Sequence, residues 1–232
     1  MANQESNTTN AKVQNRLRTL IGVALFTALA YVIMLLIHFP VSFLTLDLKD
    51  AVITLCGLCF GPLSALLSSI IVALVEMVTV SSTGIYGFVM NALGTAAFSV
   101  TVSLIYKYKK NFIGAIIGLF SGVFAMTAVM MIFNLIVTPL YMHVEAAMVR
   151  DMIPTLLLPF NLVKATFNAA VVLLLYKPVS TALQKTGFLP ASQSALKFDR
   201  RTILVTIAAV LLIAASLVLV FCVLHGSFRF GI

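Results

Sequence analysis

Apolar residues along the chain form seven runs that are separated by short polar segments. Six of the runs approach or exceed the roughly 20 residues with which an α-helix crosses a bilayer, and the second run is shorter. The ten-residue alternating pattern of an outer-membrane barrel is not found. The pattern therefore predicts an all-α integral membrane protein with helices at residues 20–38, 51–60, 63–80, 85–106, 112–137, 153–176 and 202–224.

Glycine and proline punctuate these runs and predict where the helices end. Gly61-Pro62 separates the second run from the third, and Thr138-Pro139 is expected to end the fifth. An amphipathic loop is expected at 143–151. These boundaries predict an N-terminal tail at 1–18, a six-span membrane domain at 19–177, a linker at 178–201, and an additional helix with an outer tail at 202–232.

The charged residues predict how the chain is oriented in the cell membrane. Hydrophobic residues make up 61% of the chain and charged residues only 9%, which excludes a soluble domain. The net charge of +8 comes from short loops, where membrane topology explains it better than nucleic acid does. Eleven of the fifteen lysines and arginines lie inside if the tail and linker are cytoplasmic, while Lys49, Arg150 and Arg229 lie outside and Lys164 lies in the membrane.

Lys164 is an unusual residue because an ammonium at bilayer depth costs at least about 2.5–3.5 kcal/mol on insertion scales. Asn161 precedes it by three residues, so both side chains share one helix face. A lysine that snorkels to the headgroups is the alternative to one that faces a cavity. Because Thr45, Glu76, Asn91 and Asn134 also belong to the outer half, we expect a cavity that opens outward. By the insertion scales, Lys164→Ala should ease membrane integration.

The sequence contains no motif that indicates catalysis, so the chain is not predicted to be an enzyme. Cys56 and Cys59 have C-x-x-C spacing, but neither a second pair nor a histidine cluster accompanies them. We interpret these two thiols and Cys222 as packing residues, and we expect no metal and no cofactor. His38, His143 and His225 are expected at the interface. The charged segment 42–50 is either a solvated loop or the lining of a site.

Several motifs together resemble the riboflavin-specific S components (the RibU family) of energy-coupling factor (ECF) vitamin transporters. They are Thr45-Leu46-Asp47-Leu48-Lys49-Asp50, Phe60-Gly61-Pro62, Ser82-Thr83-Gly84 with Asn91, Asn134 before Thr138-Pro139-Leu140-Tyr141, and Pro159-Phe160-Asn161-Leu162-Val163-Lys164. The resemblance implies a six-helix bundle that captures riboflavin from outside. It also implies delivery through one transmembrane coupling protein and two ATPases.

The resemblance also implies site residues. It places the flavin against Thr45, Leu46, Asn134, Asn161 and Lys164, with Asp47, Glu76, Asn91 and Tyr141 as further candidates. It places the coupling protein against the small-residue face of the first helix, at Ala24 and Ala28.

The sequence departs from the family in several places. Ala165 and Met142 stand where the family commonly has glycine, Glu76 replaces a common basic residue, and Lys49 lies in the acidic loop. The seventh span is an addition. Two alternatives therefore stay open: an S component for flavin mononucleotide or another heterocyclic vitamin, and a stand-alone transporter in which Glu76 and Lys164 form an ion-coupled pair.

Overall fold

A computed structural model describes residues 2–189, 200–224 and 229–230 as a bundle of helices with a small sheet at one end. The helices are α1 (Ala2–Leu36), α2 (Lys49–Phe60), α3 (Pro62–Thr79), α4 (Gly84–Tyr108), α5 (Phe112–Met142), α6 (Ala146–Met152), α7 (Leu158–Lys185) and α8 (Arg200–Val218). The strands are β1 (Ile37–Val41), β2 (Leu44–Asp47) and β3 (Arg229–Phe230). Two π-helical turns, Ile153–Leu157 and Leu219–Val223, join α6 to α7 and extend α8.

Six helical segments in the described part of the chain are long and apolar enough to cross a membrane. They are α1 from Arg16, α3, α4, α5, the joined segment of α6 and α7, and α8 with its π-helical turn. Helix α2 is shorter, with 12 residues, and those from Lys49 to Leu58 are buried among the other helices. The predicted all-α membrane architecture is confirmed, and the short second run is a central helix.

Glycines let α4 and α5 approach closely at the centre of the bundle. A methyl group added at Gly122 would lie 2.7 Å from Val102 Cγ2 and 3.1 Å from Phe98 Cδ2. Small residues at such positions allow two helix backbones to pack tightly within a bilayer, where helix association relies on van der Waals contact. The core of Phe98, Val102, Leu119 and neighbouring residues forms on this contact and extends to α2 and α7.

A hairpin of β1 and β2 closes one end of the bundle, in a segment that the sequence had suggested only as a polar loop. The strands pair antiparallel, with Phe39 opposite Leu46 and Pro40 opposite Thr45, and Ser42 turns the chain with a φ of 56°. The first helix therefore ends at Leu36, before the predicted end at residue 38, because the next residues belong to β1. Strand β3 pairs with the other edge of β1.

Helix α8 packs against α7 and against the back of this hairpin. Phe39, Val41 and Leu46 of the hairpin form one buried cluster with Phe160, Val163 and Phe167 of α7 and with Val220. The Phe39 and Phe221 rings add an edge contact with their centroids 5.6 Å apart. Helix α8, which corresponds to the seventh predicted span, thus completes the hydrophobic surroundings of the hairpin.

Several helix boundaries differ from the predicted ones. Pro139 does not end α5, which continues to Met142 and ends where His143 adopts a left-handed φ of 54°. A proline removes one backbone hydrogen bond, which a membrane helix tolerates when neighbouring groups compensate. The expected loop at 143–151 contains α6, and the expected tail at 1–18 continues the helix α1. Helix α7 runs past the predicted domain boundary to Lys185, and residues 190–199 of the predicted linker lie outside the described residues.

Candidate functional site

A cavity of about 420 Å³ lies at the hairpin end of the bundle, a volume within the usual range for small-molecule sites. The hairpin, the end of α1, the turn between α3 and α4, the C-terminal half of α5 and the start of α7 all contribute to its lining. One part of the wall is apolar and aromatic, formed by Met34, Met90, Met126, Met130, Tyr86, Tyr141 and Phe160. Thioether and aromatic groups of this kind pack well against a planar ring.

Two buried amides line the cavity from α5 and α7. Asn134 donates a hydrogen bond from Nδ2 to the Met130 carbonyl at 2.7 Å and accepts one at Oδ1 from Thr138 Oγ1 at 2.8 Å. Asn161 donates from Nδ2 to the Leu157 carbonyl at 2.8 Å. Each amide keeps one N–H and at least one lone pair beyond these bonds. The bonds to their own helices fix the two side chains in place and leave these groups for a ligand.

Lys164 is buried and bonded inside the protein. Its Nζ donates to the Thr45 carbonyl at 3.0 Å and to Asp47 Oδ2 at 3.0 Å. The residue is only 6% exposed, so the snorkelling alternative is wrong. Because Thr45 and Asp47 belong to β2, this lysine ties α7 to the hairpin that covers the cavity.

A second ion pair joins Glu76 of the cavity lining to Lys49, which lies behind the cavity wall. Lys49 Nζ lies 2.6 Å from Glu76 Oε2 and 3.6 Å from Asp47 Oδ2, and Glu76 Oε1 accepts from Asn91 Nδ2 at 2.9 Å. The sequence left the charged segment that contains Lys49 open between a solvated loop and the lining of a site, and the solvated alternative is wrong for Lys49, which is 1% exposed. Glu76 is therefore a largely buried carboxylate with a lysine partner.

Three buried residues at this place were not singled out from the sequence as site residues. Thr95 donates to Asp50 Oδ1 at 2.6 Å, and Asp50 Oδ2 has no hydrogen-bond donor among the described residues, although Lys164 Nζ lies 3.9 Å away. Asn168 accepts from the Ala51 N–H at 2.8 Å and donates to the Asp47 carbonyl at 3.0 Å. Its position four residues after Lys164 on the same helix face was a signal that could have found it.

Together these side chains form a buried charge network of three carboxylates and two ammoniums: Asp47, Asp50, Glu76, Lys49 and Lys164. Charges survive burial when they are paired and hydrogen-bonded, because an isolated ion would lose its hydration without compensation. Asp47 and Asp50 also flank the start of α2, where the positive end of the helix dipole favours anions. The network therefore holds the hairpin, α2, α3 and α7 around the cavity.

The structure brings most of the predicted site residues to this cavity. Thr45, Asn134, Asn161 and Lys164 line it, and so do the further candidates Asp47, Glu76, Asn91 and Tyr141. The Leu46 side chain is fully buried in the cluster behind the hairpin and is not part of the lining. His38, expected at the interface, lines the cavity from β1, and His225 lies outside the described residues.

Other candidate positions lie away from the cavity. Ala24 and Ala28 are exposed on the face of α1 that points away from the bundle. Cys56 is buried with its Sγ 3.8 Å from Ser68 Oγ, and within residues 2–189, 200–224 and 229–230 no cluster of His, Cys, Asp and Glu is arranged to hold a metal ion.

Comparison with known proteins assigns this architecture to a family. The family model for the substrate-specific component of ECF transporters matches residues 18–176. This chain is an ECF transporter S component. The riboflavin transporter RibU of Staphylococcus aureus (strain TCH60) is 29% identical to it over 178 residues, which are 72% of this chain and 93% of the relative. A solved structure of the S component of a bacterial ECF transporter superposes with a TM-score of 0.63 at 27% identity, over 73% of this chain and 99% of that one.

The family match also shows what is additional in this S component. Helix α8 and strand β3 follow the last matched residue, 176, so the cluster behind the hairpin combines family elements with an extra helix. As a member of a transporter family, the chain is a multi-pass membrane subunit and not an enzyme.

Proposed function

We propose that this S component binds riboflavin in the cavity beneath the hairpin and delivers it for import. The observation that carries the proposal is the pairing of two fixed amides with a methionine-rich and aromatic wall in one cavity of about 420 Å³. An isoalloxazine ring has a flat apolar body and an edge of carbonyl and N–H groups. This combination of wall and amide groups suits such a ligand. The 29% identity to a relative named for riboflavin transport supports the choice of vitamin.

Within the cavity, the amides of Asn134 and Asn161 are proposed to pair with the heterocycle edge. The Thr45 carbonyl and the Lys164 ammonium already bond to each other, and they lie at the rim between hairpin and α7. A ligand carbonyl near Lys164 would join the existing bonds of an ammonium that can donate three. Lys164 would thus donate hydrogen bonds to both the hairpin and the ligand.

The orientation and the partners are further parts of the proposal. Lys107, Lys109, Lys110 and Lys185 lie at the end of the bundle opposite the hairpin, which by the positive-inside rule is the cytoplasmic end. The cavity would then face outward in the cell membrane, with the N-terminus in the cytoplasm. The exposed Ala24 and Ala28 would contact the transmembrane coupling protein, which works with two ATPase subunits in the arrangement that the family resemblance implies.

The arrangement of charges disfavours the ion-coupled alternative. That alternative required a pair between Glu76 and Lys164, but Glu76 is bonded to Lys49 and Lys164 to Asp47. Coupling to an ion would have to break two buried pairs instead of one, each at a large cost.

Titration of the purified full-length chain with riboflavin tests the proposal. The protein is prepared from riboflavin-depleted cells, and quenching of flavin fluorescence is followed to saturation. We expect one saturable site, and Asn161→Ala should weaken it by about five- to a hundredfold, as expected when a ligand group loses a buried partner. Folded protein that gives no saturable quenching would refute riboflavin binding.

A further inference from the structure

The lining of the cavity carries more negative than positive charge. Three carboxylates of the buried charge network line it, those of Asp47, Asp50 and Glu76, while Lys164 is the single ammonium of the network in the lining. Lys49 lies behind the wall and is 1% exposed. Within the lining, the carboxylates of Asp47 and Glu76 alone already outnumber the ammonium of Lys164.

Glu76 has the most exposed side chain of the three carboxylates, and both of its oxygens are bonded. Lys49 lies 2.6 Å from one of its oxygens and Asn91 donates to the other at 2.9 Å. Its side chain is 14% exposed, against 2% for that of Asp47. Ser81, Ser82 and Thr83 of the adjacent turn line the same region. A fixed carboxylate beside three hydroxyl-bearing residues forms a surface that suits neutral hydroxyl groups.

We propose that Glu76 is a specificity-determining residue that selects uncharged flavins and rejects their phosphate esters. The inference rests on the proposed function. The hydroxyl groups of a polyol chain can donate hydrogen bonds to a carboxylate. A phosphate ester brings about two negative charges into a cavity that already has an excess of carboxylates, and the low dielectric of a buried site strengthens the repulsion.

Wild-type protein alone can separate charge from size. Affinities are measured at pH 8 for riboflavin, flavin mononucleotide and an uncharged 5′-acetate ester of riboflavin. We expect the acetate ester to bind within about tenfold of riboflavin and the phosphate ester to bind more than about a hundredfold more weakly. Equal rejection of the two esters, or equal acceptance of the phosphate ester and riboflavin, would overturn the proposal.

The variant Glu76→Gln assigns the effect to this residue. The amide has nearly the same size and can still accept from Asn91, so the expected change is in the ratio of the two dissociation constants, flavin mononucleotide over riboflavin. That ratio should fall by about tenfold or more, as removal of one buried like charge predicts. The matched control is Glu145→Gln, which removes the same charge from an exposed residue that makes no side-chain cap bond at the start of α6.

The outcomes distinguish this inference from the proposed function. An unchanged ratio in Glu76→Gln, or an equal fall in Glu145→Gln, overturns the role of Glu76 while riboflavin binding stands. Loss of riboflavin binding in the folded wild-type protein overturns both. If Glu76→Gln does not fold, equal affinities of wild-type protein for flavin mononucleotide and riboflavin would still overturn the proposal.

Discussion

Removing the ammonium of Lys164 should destabilise the protein, contrary to what insertion scales suggest for an isolated lysine. Lys164 Nζ lies 3.0 Å from Asp47 Oδ2 and 3.9 Å from Asp50 Oδ2. At an effective dielectric constant of about 20, these distances correspond to attractions of about 5.5 and 4.3 kcal/mol. Desolvation of the ammonium offsets several kcal/mol of this sum. In Lys164→Met the two carboxylates would stay buried without their shared partner.

The net loss is expected to be about 3 kcal/mol of unfolding free energy, the lower end of the range for breaking a buried pair. We expect a loss at the lower end of this range because Asp47 Oδ2 still has Lys49 Nζ at 3.6 Å. Equilibrium unfolding in mixed micelles with a rising fraction of dodecyl sulfate measures the difference. The double variant Asp50→Asn/Lys164→Met should recover about half of the loss, because it also removes the carboxylate that is left without a nearby ammonium.

The control for this prediction is Lys185→Met, which removes an exposed lysine from the other end of the same helix. It should stay within about 0.5 kcal/mol of wild type, as exposed substitutions usually do. If Lys164→Met were as stable as wild type, the buried pair would contribute nothing and the reasoning would be refuted.

Three further predictions concern binding and transport. Asn168→Ala should lower the unfolding free energy by about 1–3 kcal/mol, because it leaves the Ala51 N–H without its partner. Asn161→Ala should mainly lower riboflavin affinity. Thermal melting and riboflavin titration of both variants check these two expectations. Ala24→Leu should leave riboflavin affinity unchanged but reduce uptake by cells, and wild-type uptake would exclude this face as the contact with the coupling protein. Deleting residues 200–232 removes Val220 and Phe221 from behind the hairpin, and the hairpin should then open more easily. Stopped-flow measurements should show faster riboflavin dissociation, and an unchanged rate would mean that α8 does not support the hairpin.

The sequence predicted the membrane helices and one face of the site, because both depend on local patterns. Long apolar runs define the spans, and the spacing of Asn161 and Lys164 places them on one side of α7. Four of the five residues assigned to the ligand line the cavity, while the Leu46 side chain packs away from it. Whether these residues bind flavin stays a prediction.

The charge network could not be predicted from the sequence because its pairs join distant elements. Lys49 and Glu76 are separated by 27 residues, and Lys164 and Asp47 by 117. Their meeting depends on the hairpin, whose turn at Ser42 lacks the Asn-Gly or Asp-Gly signal of a two-residue turn. The predicted end of the fifth helix at Pro139 was also wrong, since α5 continues through this proline.

The length of α2 has a consequence for the membrane itself. Its 12 residues span about 18 Å, and the hydrocarbon core of a bilayer is about 30 Å thick, so this central column stops roughly 12 Å short. The cavity occupies the missing part of the column, directly above the residues that begin the helix. A bound vitamin would complete the column. The substrate would then take the place of more than two turns of helix at the centre of the bundle.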